Sequence, residues 1–432
     1  HSSYSAHPSV WFLQRLGSRE SYVEPEEVYQ KAKEHGMDFV TITDHNQIEG
    51  ALVLKQRYPR EVLTGMESTT YFPEDGCKVH VLIYGLDRDQ FHRIEKLRRN
   101  IYDLREYLRD EDLAHAVAHP TYSINRKMSV ERLERLMLLF DHFECVNGSR
   151  SRRDNDIWQH VVSTLTPERL EALSRKHAIK PGPGNPWIKG MLGGSDDHSG
   201  LFVGKTYTEV NARTPEEVLE HLKLKRTGSE GRHNDYQGLA FAVYKVAYDF
   251  SRSRSKVLNT SMLSAVNGLL FDRQDIGFKG RLVLERMKRS KSAREDAIKR
   301  AVLDLVSSLQ ENKELAVEEK LSLLSEKVGG IADEFMKEFL CRISDNVQAG
   351  DVIALIRGLS ASLPGVFLSL PFFTTLGFLN DSRQLLTELQ ERFGRASRSR
   401  GKRVLWFTDT LTDLNGVGET LRKLGVVAHD RS

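Results

Sequence analysis

The chain has 432 residues, enough for roughly two to four domains and a sizeable core, and its 63 Lys and Arg against 60 Asp and Glu leave a net charge of +3 that names no partner. With 39% apolar and 28% charged residues, the composition excludes wholesale disorder and fits a soluble globular chain. Three widely spaced cysteines (Cys77, Cys145, Cys341) exclude a disulfide scaffold, and with no signal-peptide pattern at the start they point to a reducing compartment, most simply a bacterial-type cytoplasm.

Residues 1–210 alternate strand and helix patterns. Periodicity predicts helices over 25–35, 88–109, 128–139 and 166–177. Apolar runs predict strands at Asp38–Thr43, Lys78–Tyr84, Leu113–Ala118, Phe143–Val146 and Met191–Gly193, with the last strands over 185–195 and 204–210. Strands spaced by helices of this length imply parallel βα units. From about 215 to 395 the period is almost entirely helical. Within it, 251–300 carries 13 Lys and Arg against 5 Asp and Glu, a local net charge of +8 that the chain average hides. A solvated helix face is the plain expectation there. Val352–Leu379 is 28 residues with one charge, Arg357. A membrane span needs roughly 20 apolar residues, but Arg357, Pro364, Pro371 and three glycines interrupt this one. A buried helical hairpin is expected; peripheral membrane contact, favoured by the basic stretches on either side, is the rival. A basic, Ser-rich linker over 394–403 then leads to a strand, a glycine-containing loop and a helix start.

Histidine placement carries most of the functional information. Of 15 histidines, six stand in the opening loop or at predicted strand ends: His1, His7, His45, His80, His119 and His198. Asp44, Glu67 and Asp196 accompany them. In a parallel barrel the C-terminal strand ends open on one face, so such residues converge. Singly, each has a plain explanation: a structural histidine, a capped turn in TDHN (43–46), an N-cap in SDDH (195–198). Jointly they indicate a metal site, and imidazole with carboxylate suits Zn, Mn or Fe. Ions held by neutral histidines and few acids stay positive and favour an anionic substrate such as a phosphoester. Arg126 and Arg150 follow predicted strands as candidate catalytic groups for phosphoryl oxygens, and Arg153 is a candidate substrate-binding residue. Surface solvation is the plain alternative for all three. His115 lies four residues before His119, on one face if the strand alternates, so it is a candidate supporting group. The other histidines read as structural or solvent-facing.

HSSYSAH (1–7), TDHN (43–46), GMES (65–68), VHVLIYG (79–85), AHP (118–120) and GSDDHSG (194–200), in that order, resemble the PHP family, named for polymerase and histidinol phosphatase members. The resemblance covers about 1–225. It implies an α/β fold, a distorted (β/α)7 TIM-like barrel, with up to three divalent ions. That family opens with Asp-x-His-x-His-Ser; His1 matches its second histidine, which would put the Asp and the first histidine just upstream. The implied ligand sets are His1, Glu67 and Asp196 with the upstream histidine; Glu67, His80 and His119; and His7, His45 and His198. Glu67 bridges the first two, and Asp44 is a supporting or proton-handling group. The implied activity is phosphoester hydrolysis of a small molecule, with metal-bound hydroxide as nucleophile. A non-hydrolytic regulatory module is one alternative. A nuclease ranks lower, because 1–225 lacks a basic groove interleaved with aromatics.

Residues 404–424 (VLWFTDTLTDLNGVGETLRKL) resemble the start of a family 4-type glycosyltransferase, the first βα unit of a Rossmann-like domain. In that family the loop matching Asn415, Gly416 and Val417 lies by the sugar-nucleotide cleft, at a helix N-terminus suited to phosphate. About 25 residues are too few for transfer, so the resemblance implies a parent protein joining the two activities. The expected organisation is a barrel over 1–225, a helical linker domain over 226–395 and the linker with the transferase start over 396–432. The expected location is the cytoplasm or the inner face of its membrane. Nothing in the sequence speaks to oligomeric state.

Overall fold

The computed structural model describes residues 1–5, 19–254 and 381–394, with scattered positions between 271 and 379 and at 420. His7, Cys341, Asn415, Gly416, Val417 and nearly all of Val352–Leu379 lie outside the described residues.

The first βα unit follows its sequence closely. Helix α1 (Pro25–Glu34) has Pro at its start, Glu26 and Glu27 in its first turn, and Lys31 and Lys33 in its last, charges that suit the helix dipole. It buries Val28, Tyr29 and Ala32 against β1 (Val40–Thr41), α2 (Glu49–Arg57) and β2 (Val62–Leu63). β1 and β2 pair in parallel. One further parallel bridge joins His45 to Glu67.

The central sheet has the order β3 (Gly65–Tyr71), β4 (Lys78–Tyr84), β5 (Ala114–Val117), β6 (His142–Asn147), β7 (Gly190–Gly194). It is mixed, which corrects the all-parallel expectation. β4 runs antiparallel to both β3 and β5, while β5, β6 and β7 are parallel. The cause is the turn over 72–77, where Gly76 takes φ 70° and bonds back to Phe72. A connection that short makes a hairpin and cannot make a parallel crossover. The long helix expected over 88–109 is two, α3 (Arg88–Leu97) and α4 (Ile101–Asp110), because the Asn100 side chain caps the second. Helices α5 (Val130–Leu139), α6 (Arg152–Ser163) and α7 (Pro167–His177) follow, each with a Ser or Thr cap, worth about 1 kcal/mol apiece. Trp158 of α6 meets Phe143 of β6 edge-on at 5.3 Å in the main core.

Strand β8 (Thr206–Glu209), expected to be parallel, instead pairs antiparallel with β9 (Gly228–Gly231). That hairpin carries strand structure past residue 225. Between its strands, α8 (Pro215–Lys223) packs Val218 and Leu222 on Leu63, Ala114, Ala116 and Leu192. Helix α9 (Tyr236–Arg254) comes next. Helix α10 (Arg383–Phe393) lays Leu385, Leu386, Leu389 and Phe393 on the main core. Its Arg392 reaches the buried Glu134 at 2.6 Å. Among the described residues no sheet closes on itself: β1 and β7 each keep one unpaired edge. No helix among them is long and apolar enough to cross a membrane.

Candidate metal centre

The centre is built around Glu67, whose side chain is 2% exposed. Two local features bring it to the histidines. The TDHN turn pairs with β3 through Glu67 N–H to the Asp44 carbonyl (3.1 Å) and Asn46 N–H to the Glu67 carbonyl (2.9 Å), which sets His45 beside Glu67. In the β3–β4 hairpin Thr69 opposes His80, so His80 is the diagonal neighbour of Glu67. His80 therefore stands near the start of β4, not at its end, and the reversed strand direction delivers it to the shared face.

The side chains form three overlapping groups. His1 Nε2 lies 3.2 Å from Glu67 Oε2 and 3.2 Å from Asp196 Oδ1. His119 Nε2 lies 3.1 Å from Glu67 Oε1 and 3.3 Å from His80 Nδ1, and His80 Nδ1 contacts the same oxygen. The rings of His1, His45 and His198 stack at 4.1–5.8 Å between centroids. Ligand atoms of His1, His45 and His198, of His45, Glu67 and His80, and of His1, Glu67 and Asp196 each lie within 4.8 Å of one another. Seven of the eight expected ligands are thus together; His7 is outside the described residues.

Backbone strain marks two of them. His119 has φ 26° and Asp196 φ 45°, in the left-handed region that side chains rarely adopt. Such strain is held only where surrounding structure over-determines it. For Asp196 that structure is Asn147, whose Nδ2 donates to Asp196 Oδ2 (3.1 Å), and Ser149, whose hydroxyl donates to the Asp196 carbonyl (2.6 Å). The neighbouring Asp197 instead accepts from Ser199 and Phe202 and closes the loop.

Two acids escaped the sequence reading. Glu20 Oε2 stands 3.2 Å from His45 Nε2, and Glu20 Oε1 is 3.9 Å from His198 Nε2. No spacing signal marks it. Glu144, buried in β6, accepts from the His119 N–H (2.9 Å) and from Asn147 (2.8 Å). Its signal was legible: an acid inside the apolar run Phe143–Val146 is costly to bury without a task. A Cβ on Gly194 would stand 2.5 Å from Glu144 Oε1, so glycine gives this carboxyl its room.

The arginines divide. Arg150 is buried, with its guanidinium 3.8 Å from the Tyr122 ring centroid and 4.5 Å from that of Phe378; Tyr122 in turn meets His119 at 5.6 Å. Arg126 does not reach the cluster: its side chain is 86% exposed and turns toward Asp381 at 3.9 Å. Arg153 also faces away, toward Gln390 of α10. Both positions follow a strand, but each side chain finds its partner in or just before α10. His115 is turned away as well. Its Nδ1 bonds the Leu113 carbonyl, and its ring meets Phe140 and His142. Alternation does not carry from His115 to His119 because β5 ends at Val117, before His119.

Electrostatics follow from burial in a crowd of imidazoles. Burial opposes ionisation of Glu67, yet His45 and His80 outweigh it and hold the carboxyl well below its usual range. Asp196 is lowered for the same kind of reason, burial being outweighed by the hydrogen bond from His1 and the charges of His198 and His119. Burial pushes His198 down to about 4 and carries His45 and His80 down as well. His1 and His119 are raised, because hydrogen bonds to the carboxylates overcome burial. Glu144 is pushed up to about 7, chiefly by burial.

This donor set fits divalent metal ions. Carboxylates held ionised and imidazoles held neutral are the forms that ligate, and Glu67, Asp196, His45, His80 and His198 are held that way. His45 Nδ1 and His198 Nε2 are buried with no hydrogen-bond partner among the described residues, the condition expected of lone pairs reserved for an ion. A cavity of about 850 Å³ reaches His1, Glu67, His119 and Asp196 from the side where β1 and β7 are unpaired. Comparison with protein-family models and with curated proteins finds no match to this chain.

Proposed function

We propose that the sheet-bearing part of the chain is a divalent-metal-dependent phosphoesterase of the PHP type, its strands forming the distorted barrel of that family. The observation that carries this reading is Glu67, one buried carboxylate facing His1 on one oxygen and His80 and His119 on the other. His1, Glu67 and Asp196 would hold one ion; Glu67, His80 and His119 a second; His45 and His198, with Glu20 or His7, a third. Zn, Mn and Fe suit these ligands. When bound, such ions ionise water near neutral pH and neutralise charge on a phosphoryl group.

The chain's own residues do the rest. Asn147 fixes the Asp196 carboxylate, and Glu144 braces the strained His119 through its backbone N–H. Arg150, whose Nε is buried without a hydrogen-bond partner, is held by Tyr122 and Phe378 beside His119. It is the cation placed to meet an anionic oxygen of the substrate. In this reading the +8 segment and Val352–Leu379 link the phosphoesterase to a glycosyltransferase that begins near 403, in the cytoplasm or against its membrane.

The test is turnover. The purified chain, given Mn²⁺ or Zn²⁺, is screened on phosphomonoesters and phosphodiesters beside Glu67→Gln. Metal-dependent hydrolysis that chelation and Glu67→Gln both abolish is the expected result. Tight metal uptake with no turnover on either ester class would contradict the hydrolytic reading and favour a regulatory module.

A further inference from the structure

Ser5 joins the opening loop to the cluster. Its hydroxyl has three neighbours: Asp44 Oδ1 at 3.0 Å, the His45 backbone N–H at 3.1 Å and His1 Nδ1 at 3.3 Å. Ser2, Ser5 and Asp44 are buried, so water does not compete for these groups.

The directions of the bonds follow from counting protons. A serine hydroxyl has one proton and two lone pairs. A backbone N–H only donates, so His45 takes one lone pair of Ser5. Asp44 also accepts from the Ser2 N–H and the Ser2 hydroxyl, both at 2.6 Å. An ionised carboxylate only accepts, so the single Ser5 proton goes to Asp44. One lone pair remains, and it faces His1 Nδ1. That contact closes only if Nδ1 carries the hydrogen. His1 Nε2 is then the ring nitrogen left to face Glu67 and Asp196, 3.2 Å from each.

We infer that Ser5 and Asp44 are positioning residues that fix the orientation of His1, with Nδ1–H donated to Ser5 and Nε2 committed to the metal shared with Glu67 and Asp196. Asp44 thus acts through Ser5 on His1, not on its sequence neighbour His45 alone. The inference rests on the metal-centre reading. Groups that orient a ligating histidine typically change metal affinity by about 10–100-fold when removed.

The experiment is a zinc titration of the full chain by chelator competition, comparing wild type, Ser5→Ala, Asp44→Ala and Asp44→Asn. Ser5→Ala and Asp44→Ala should weaken one ion by about 10–100-fold and spare the others. Asp44→Asn should stay close to wild type: the amide oxygen can replace Oδ1 toward Ser2 N–H and Ser5, while its NH₂ turns to the Ser2 hydroxyl. Proton NMR of the zinc-loaded chain supplies a second readout. The His1 Nδ1–H should be protected in wild type and Asp44→Asn and exchange faster in Ser5→Ala. Zinc uptake that is the same in wild type and Ser5→Ala, or His1 bound through Nδ1, would overturn this inference alone. A wild-type chain that takes up no zinc would overturn the metal reading and this inference with it.

Discussion

His1 Nε2 and Glu67 Oε2 stand 3.2 Å apart, and the other oxygen of Glu67 lies 3.1 Å from His119 Nε2. One carboxylate therefore serves two groups of imidazoles. Glu67→Gln, which halves its acceptor capacity, is expected to lower metal content by more than one ion per chain and to abolish hydrolysis. Elemental analysis after dialysis checks this, and full occupancy in the variant would refute the bridging role.

Glu20 faces both His45 and His198. Glu20→Gln should weaken one ion by about 10-fold, an ion distinct from the pair that share Glu67. His7→Ala is the companion variant, because the sequence resemblance gives that position to His7. Metal affinity that changes in His7→Ala and not in Glu20→Gln would return the ligand role to His7.

Arg150 and the two outlying arginines make a matched set. Losing a charge-assisted hydrogen bond to substrate costs about 1.5–3 kcal/mol. Arg150→Ala should therefore raise KM for a phosphoester by about 10-fold or more at unchanged metal content. Arg126→Ala and Arg153→Ala should leave the kinetics unchanged, since both side chains turn away from the cluster. A KM that rises equally in all three would point to a general loss of surface charge.

A pH prediction comes from the far end of β6. Burial, with help from His115, holds His142 down to about 4 from its ordinary 6.5. Between these values the unfolded chain binds more protons than the folded one, so stability rises with pH. The contribution is complete above about pH 6.5 and is lost as pH falls through about 4; its full size is about 3 kcal/mol. Denaturant midpoints of wild type and His142→Leu, compared at about pH 7 and about pH 4.5, should show the smaller drop in the variant. Equal drops would mean that His142 is not the group responsible.

What the sequence made legible was local. Helices α1, α5 and α7 end within two residues of their predicted limits because caps, prolines and periodicity mark them. The seven described candidate ligands were legible as a set, because five imidazoles and two carboxylates in the opening loop and around predicted strands are hard to explain as packing. What stayed hidden depends on contacts distant in sequence. The reversal of β4 is decided by a six-residue turn and then by pairing with β5. Glu20 gains a role only from its place beside His45 and His198, both distant in sequence. Where the Arg126 and Arg153 side chains point stayed hidden too, because position after a strand fixes a backbone and not where a long side chain goes.

In the proposed reading Glu67 lies between two metal ions. Anomalous diffraction at the metal edge, from crystals of the chain grown with Zn²⁺ or Mn²⁺, tests it most directly. Two peaks within about 2.0–2.2 Å of Glu67 oxygens are predicted, one shared with His1 and Asp196 and one with His80 and His119. Metal-loaded crystals with no peak in coordinating range of Glu67 would contradict the claim.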